Sequence, residues 1–578
     1  MTDSIKSISF YLAKERYSSF EDVLKNTDAK NVNIKYNIDK SFNVDEAECR
    51  FIFVQAKNIR QTPKWIKFIN SRLDDNDQIK IEGFTQSIKS VLLVKTMGRI
   101  VAATFGFGDS LLEKGRFCSD FGIKTAMNLC GNDKVKQTSM VQHKYATQHV
   151  SKQASKISEF SEFDMNETDF LNYISAQMTD DIFLQGRDKI TLQTKGDEDI
   201  SWENILDYIY KFIKAYSDDK YKTLFPYYAN FEQVLDTDTI SELDTILLGY
   251  IKSKRINKMH LCIPEFRPDD SYSFVYSKCR AKHQVVSFID IEDFYKPDRY
   301  VFGCSISDLE IDTLKNTNIY AYNHAEDKVL EYDYWKIYDC IIAEIPLKGD
   351  VYILSAGIWR KVNSDFITQI YTGLPPEKTV DNKFQNIKVY SDNEYKNKEA
   401  IYNETIAELS DVIMFDRSKL GIGNKNKIYE FCDLMIVSDN KIETVHVKQN
   451  GGSCQVEHLF TQAKVYGESF LYDAVFLNDI RDYINKYEKI TEDKKMQVLS
   501  TIPQNINDNR GDMYNVGLWI LYNKDKPKPL LRDLPLMALY ELNHAYNVLK
   551  TRNKYKEVYV SFVPVEMAIQ KETIISKK

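Results

Sequence analysis

The sequence contains no C-x-x-C pair. Its nine cysteines (Cys49, Cys118, Cys130, Cys262, Cys279, Cys304, Cys340, Cys432 and Cys454) are scattered and odd in number, which argues against a thiolate zinc site and for a reducing cytoplasm. No apolar run reaches about 18 residues, so no membrane span is expected. The opening MTDSIKSISFYLAKE lacks the apolar core and cleavage site of a signal peptide. There is no basic excess either: the net charge is -7 and the pI about 5.8, which excludes the overall charge of a nonspecific nucleic-acid binder and leaves room only for a local basic groove. No repeat of roughly 20–50 residues is visible, which excludes a solenoid.

What is present is a globular composition, 43% hydrophobic and 13% aromatic against 28% charged. The 578 residues exceed the about 250–300 at which a single core stops growing, so two or more domains are expected. The predicted fold class is multidomain, α+β in the N-terminal part and α/β at the C-terminus.

Residues 1–130 form an α+β region. ISFYLA and RFIFVQA read as strands, PKWIKFINSRL as a helix opened by Pro63, and SVLLVKTMGRIVAATFGFG as a hairpin turning at Met97-Gly98. The GFGDS that closes this hairpin lacks G-x-x-x-x-G-K-[ST], so it reads as a turn; the alternative of a phosphate cradle rests on a lone G-x-G. Residues 131–160 read as a polar, basic linker or loop, with a nucleic-acid contact as the alternative to a solvated segment. Residues 161–390 form a middle α+β region that contains SWENILDYIYKFIKAYSDD as a helix and CIIAEIPLKGDVYILSAGIWRKV as two strands around Lys348-Gly349-Asp350, packed by Trp359.

Residues 395–578 carry the candidate site. NKEAIYNETIAELSD reads as a helix, YEFCDLMIV and ETVHVKQ as strands, a long helix runs from about Val456 to about Lys489, and GLWILYN and EVYVSFVPV are the last strands. Alternation along a strand puts Asp433 on the face of Phe431 and Met435, opposite Glu430, and puts His446 with Lys448, opposite Val445 and Val447. Gln462 and Tyr466 lie four apart, on one helical face. Glu404, on the upstream helix, is a second carboxylate within reach. Singly, Asp433 could be a hydrogen-bonded strand acid and Lys448 a solvated edge residue. Jointly they suit phosphodiester hydrolysis: Asp433 as central metal ligand, Glu404 and the Val447 carbonyl as further oxygens for Mg²⁺ or Mn²⁺, and Lys448 as the positioning charge. His446 reads as a metal or phosphate contact or as a structural hydrogen-bonding group. His458 reads as structural or phosphate-facing, and Gly451-Gly452-Ser453 as a connector whose amides could also hold a phosphate.

The order helix Glu404, strand Asp433, strand His446-Val447-Lys448, helix Gln462-x-x-x-Tyr466 resembles the PD-(D/E)xK restriction-endonuclease-like superfamily, in particular its RecB-like members. That resemblance implies a mixed sheet flanked by helices, with Gln462 and Tyr466 supporting the metal site and DNA. The position normally held by Glu, Asp or Gln is His446, a neutral ligand that weakens Mg²⁺ binding more than Mn²⁺ binding. The wider chain, through TFGFG (104–108), DFGIKTAMN (120–128), ILSAGIWRKV (353–362), YNE (402–404), CDLMI and HVKQNGGSCQVEHLF, resembles a sporadically distributed bacterial family of unknown function linked to defence against phage. The resemblances imply a cytoplasmic nuclease for DNA more than RNA, with a regulatory protein partner or a homodimer as its assembly, or alternatively a non-catalytic nucleic-acid sensor.

Overall fold

The computed structural model describes residues 5–25, 36–59, 84–142, 147–202, 204–265, 272–276, 285–297, 299, 301–324, 328–389, 398–416, 418, 420–422, 424–438, 441–450 and 453–567. The helix expected over PKWIKFINSRL lies outside them, as do Gly451 and Gly452.

Alternating apolar residues in the first region build one antiparallel sheet of ten strands among the described residues. It runs from the hairpin Ile38–Val44/Ala47–Ile59 at one edge, through Ser7–Leu12 in the middle, to Val135–Gln142 and Gln148–Ser158 at the other. Leu92 and Val94 face one core and Val91 and Leu93 the other, as a period of two requires. Met97 and Gly98 turn the expected hairpin with positive φ at both residues. Gly108 follows because the chain crosses the backbone of the neighbouring strand so closely that a Cβ would stand 1.9 Å from the Ser90 carbonyl oxygen.

The stretch 131–160, read as a linker, forms two paired strands of this sheet, Val135–Gln142 and Gln148–Ser158. Its second strand is an edge strand, which explains the composition: polar and basic residues there face solvent and discourage further pairing. The sheet of the first unit therefore reaches Thr194, its core takes in Ile209, Phe212 and Phe225 beyond it, and helix α1 (Phe121–Cys130) packs on one face.

The middle unit is a five-stranded antiparallel sheet that includes Ile341–Leu347, Asp350–Ser355 and Ile358–Val362, with a three-stranded sheet beside it. Trp359 is buried and donates its indole N–H to Asp244 at 2.9 Å.

The third unit holds a six-stranded mixed sheet. Its elements are β1 (Ile387–Lys388), helix α2 (Lys398–Ile406), β2 (Val412–Met414), β3 (Leu434–Ser438), β4 (Lys441–Gln449), helix α3 (Ser453–Tyr472), helix α4 (Ala474–Lys486), β5 (Tyr514–Asn523), helix α5 (Leu536–Tyr546) and β6 (Glu557–Glu566). The sheet order is β1-β6-β5-β4-β3-β2. The β2–β3 and β3–β4 pairs are antiparallel, and β4, β5, β6 and β1 run parallel. Both faces are covered, which gives near-continuous apolar strands. Leu434, Ile436, Val445, Val447, Trp519 and Leu521 pack under Tyr402 and Ile406 of α2, whereas Met435, Val437, Ile442, Leu518 and Ile520 pack under Leu459, Phe460 and Ala463 of α3. The long helix expected to Lys489 is two helices. Asp473 breaks it, because its side chain accepts the Phe476 N–H at 2.9 Å and caps α4. The α3-side core continues into Val141 and Phe170 of the first unit and Phe231, Val362 and Phe366 of the middle one, so the three units share buried contacts. Among the described residues no helix is long and apolar enough to cross a membrane.

Candidate functional site

The site lies where β3 begins and β4 ends, at one end of the third sheet. Asp433 stands one residue ahead of β3. Its N–H still bonds the Val445 carbonyl at 3.0 Å, and extending the β3–β4 register by one residue sets it opposite His446. Beyond that point β4 has, among the described residues, no strand neighbour on this side, so the Val447 N–H would be left without a partner. The Asp433 carboxylate takes it, Oδ2 accepting at 2.7 Å. Since the Asn450 N–H bonds Leu521 of β5, the alternate residue Val447 turns its backbone groups, carbonyl included, toward the Asp433 side.

Helix α2 brings two more groups. Glu399 and Asn403 are four residues apart and share a face. Asn403 Nδ2 reaches Asp433 Oδ1 at 3.4 Å and Asp416 Oδ2 at 3.3 Å. Glu399 accepts from Lys448 Nζ at 2.9 Å and from the Gln449 N–H at 2.9 Å. Lys448 lies on the α3 face of β4 and meets an α2 residue because the strand ends beside it. Burial, reinforced by the Asp416 and Glu399 charges, pushes the Asp433 carboxyl up to about 7, against the pull of the Val447 N–H and of Lys448.

Glu404 does not join this group. Five residues beyond Glu399, it is turned well away on the helix, and its charge is felt by Lys489 instead. Glu399 holds the place the sequence reading gave to Glu404. Of the residues on the α3 face of β4, His446 is 3% exposed, and burial holds its imidazole down to about 3. Among the described residues it has no hydrogen-bond partner, so it is a neutral ring enclosed beneath α3. Burial and Lys448 lower the His458 pKa, while Glu399 and a hydrogen bond to Gln462 oppose them. His458 thus links Gln462 to the Lys448–Glu399 pair. Tyr466, one turn further along α3, instead packs at the core edge, its ring centroid 6.4 Å from that of Phe476. Ser453 opens α3; its side chain is outside the description.

The sequence reading missed Glu399, Asn403 and Asp416. The first two have the i, i+4 spacing of one helical face, and Asp416 is the acid just after the apolar VIMF strand. Among the described residues no three His, Cys, Asp or Glu side chains form a metal-ligand group. The set around Asp433 has a different composition: two carboxylates, Asp433 and Asp416, bridged by an amide whose Oδ1 is buried without a hydrogen-bond partner. Two carboxylates that share a single amide donor are chemically suited to a hard divalent cation.

This is a multidomain α+β chain with an oxygen-rich cluster and a lysine at the end of a mixed sheet. A family model described as "Family of unknown function (DUF6119)" matches residues 8–564, and the chain belongs to that family. No curated protein and no solved structure matches it.

Proposed function

We propose that the protein is a metal-dependent nuclease that hydrolyses DNA phosphodiester bonds, in bacterial defence against phage or other foreign DNA. The observation that carries the reading is the meeting of Asp433, Glu399 and Lys448 at one sheet end, where helix α2, strands β3 and β4 and helix α3 follow one another in the order expected of a restriction-endonuclease-like domain. The mixed sheet between helical layers supports the same reading.

The residues fit Mg²⁺ or Mn²⁺: Asp433 and Asp416 would hold the ion, with the Val447 carbonyl turned to the same side and Asn403 joining through Oδ1 once its amide is turned over. When bound, such an ion supplies Lewis acidity and a water of lowered pKa. The chain's own groups do the rest. Lys448, held in place by Glu399, sets a positive charge beside the phosphate and orients water, the Val447 N–H fixes the Asp433 carboxylate, and His446 stays neutral and neither gives nor takes a proton. The first two units sense, bind a protein partner or regulate, and a homodimer would match two sites to two strands.

The test is cleavage of single- and double-stranded DNA and of RNA by the full chain with Mg²⁺ or Mn²⁺. DNA cleavage is expected, abolished by chelator and reduced about 100-fold or more by Asp433→Asn or Lys448→Ala with little change in melting temperature. Wild-type protein inert on every substrate with both metals would remove the nuclease reading.

A second reading, a non-catalytic nucleic-acid sensor on a degenerate nuclease fold, is favoured by His446, which brings no negative charge where a second acid is expected. It requires binding without cleavage, indifferent to chelator. His446→Glu separates the two, since gained cleavage points to a weakened catalytic site.

A further inference from the structure

A cavity of about 610 Å³ lies between the first unit's sheet and the middle unit, away from Asp433. Its volume is that of a small-ligand site, for which roughly 300–1,000 Å³ is usual. Its charges are unevenly answered. Asp109 pairs with Lys114 at 3.4 Å, Asp120 with Lys124 at 2.7 Å, and Glu232 with Lys222 at 3.6 Å, and Glu265 accepts the Trp335 indole N–H at 2.9 Å. Arg187, Lys189 and Arg360 are left. Among the described residues none of the three has a carboxylate within ion-pair distance, and the Asp120 charge, itself paired with Lys124, is the one felt by Arg360.

Arg360 is the innermost of these cations. One nitrogen of its guanidinium donates to the Ser355 carbonyl at 3.1 Å, and the group lies 5.1 Å from the centre of the Phe170 ring. Burial lowers its pKa against the weaker pull of Tyr228 and Asp120, so among the described residues it is an enclosed cation with backbone and ring contacts and no carboxylate at ion-pair distance, an arrangement that favours an anionic ligand. Arg187 lies over Tyr173 at 5.6 Å and Lys189 over Tyr11 at 5.6 Å, nearer the mouth. The opposite character comes from the walls. Tyr221 and Tyr228 meet edge to face at 5.7 Å, as Phe170 and Phe231 do at 4.3 Å, and the amides of Gln137, Asn172 and Gln233 stand among them. Asn172 Oδ1 is buried with no partner among the described residues.

We propose that this cavity binds a nucleoside phosphate, its phosphate on Arg360, Arg187 and Lys189 and its base between the aromatic walls and the amides. Guanidinium groups match phosphate geometry, aromatic faces accept any base, and the amides offer the donors and acceptors that a base edge needs. The site is independent of the nuclease reading and stands whether or not the chain cleaves DNA.

The test is calorimetric titration of the full chain with ATP, GTP, CTP and UTP, their monophosphates, adenosine and inorganic phosphate. Saturable binding of one or more nucleotides is expected, at least about tenfold tighter than adenosine or inorganic phosphate. Arg187→Ala/Lys189→Ala, which alters side chains near the mouth, should weaken it about tenfold or more, and Asp433→Asn should leave it unchanged. Four outcomes overturn the proposal: no nucleotide binding below about 1 mM, phosphate binding as tightly as nucleotide, affinity unaffected by the double variant, or loss of binding in Asp433→Asn.

Discussion

Single side chains in the third unit owe their properties to enclosure more than to charge partners. His446 is neutral because it is buried, so a residue that reads as a metal or phosphate contact or as a structural hydrogen-bonding group is an apolar-like filler under α3. Glu457, on the same helix, shows the same physics with the opposite sign. It is 5% exposed, one carboxylate oxygen has no partner among the described residues, and burial, with Glu541 and Glu344 nearby, pushes its carboxyl from 4.5 up to about 8. Its folded pKa lies above its unfolded value, so the folded state binds the proton more tightly. The stability this lends is full below about pH 4.5 and is lost as the pH rises through about 8. Glu457→Gln should therefore change stability little at pH 5 and raise it by about 1–3 kcal/mol at pH 9, read from urea unfolding at both values. An equal effect at the two pH values would contradict this account.

At the scale of elements, Asp473 divides one apolar stretch into α3 and α4. Asp473→Ala should cost about 1 kcal/mol of unfolding free energy, measured by urea denaturation; no loss would mean that the α3–α4 corner is held by packing alone. The sequence carried much of this level. The hairpin at Met97-Gly98, the strands at Asp350–Ser355, Tyr514–Asn523 and Glu557–Glu566, and the alternation that divides Val445 and Val447 from His446 were legible from period and turn residues. The break at Asp473 was not, because apolar periodicity runs on across it and an aspartate is read as a cap only when a new start is looked for. The strands within 131–160 were hidden for another reason: an edge strand presents polar residues and resembles a loop. The substitution of Glu399 for Glu404 in the cluster turns on helix phase, since two glutamates in one short helix are both acceptable until the position of Asn403 fixes which face is turned inward.

At the scale of the molecule, the first unit is not remote from the candidate site. A cavity of about 320 Å³ is lined by Gln148, Asn166 and Thr168 of the first unit and by Glu457, His458 and Lys464 of α3. His458 is also the residue that links Gln462 to Lys448 and Glu399, so the first unit borders the cluster on its α3 side, and the family match over residues 8–564 treats the three units as one inheritance. The reading as a whole stands on one property of the Asp433, Asp416 and Asn403 set, its capacity for a divalent cation. Titration of Mn²⁺ into the full-length protein, followed by electron paramagnetic resonance, tests this directly. One bound Mn²⁺ per chain is expected, lost in Asp433→Asn and retained in Glu404→Gln; a wild-type chain that binds no Mn²⁺, or an Asp433→Asn chain that binds it equally, would contradict the account.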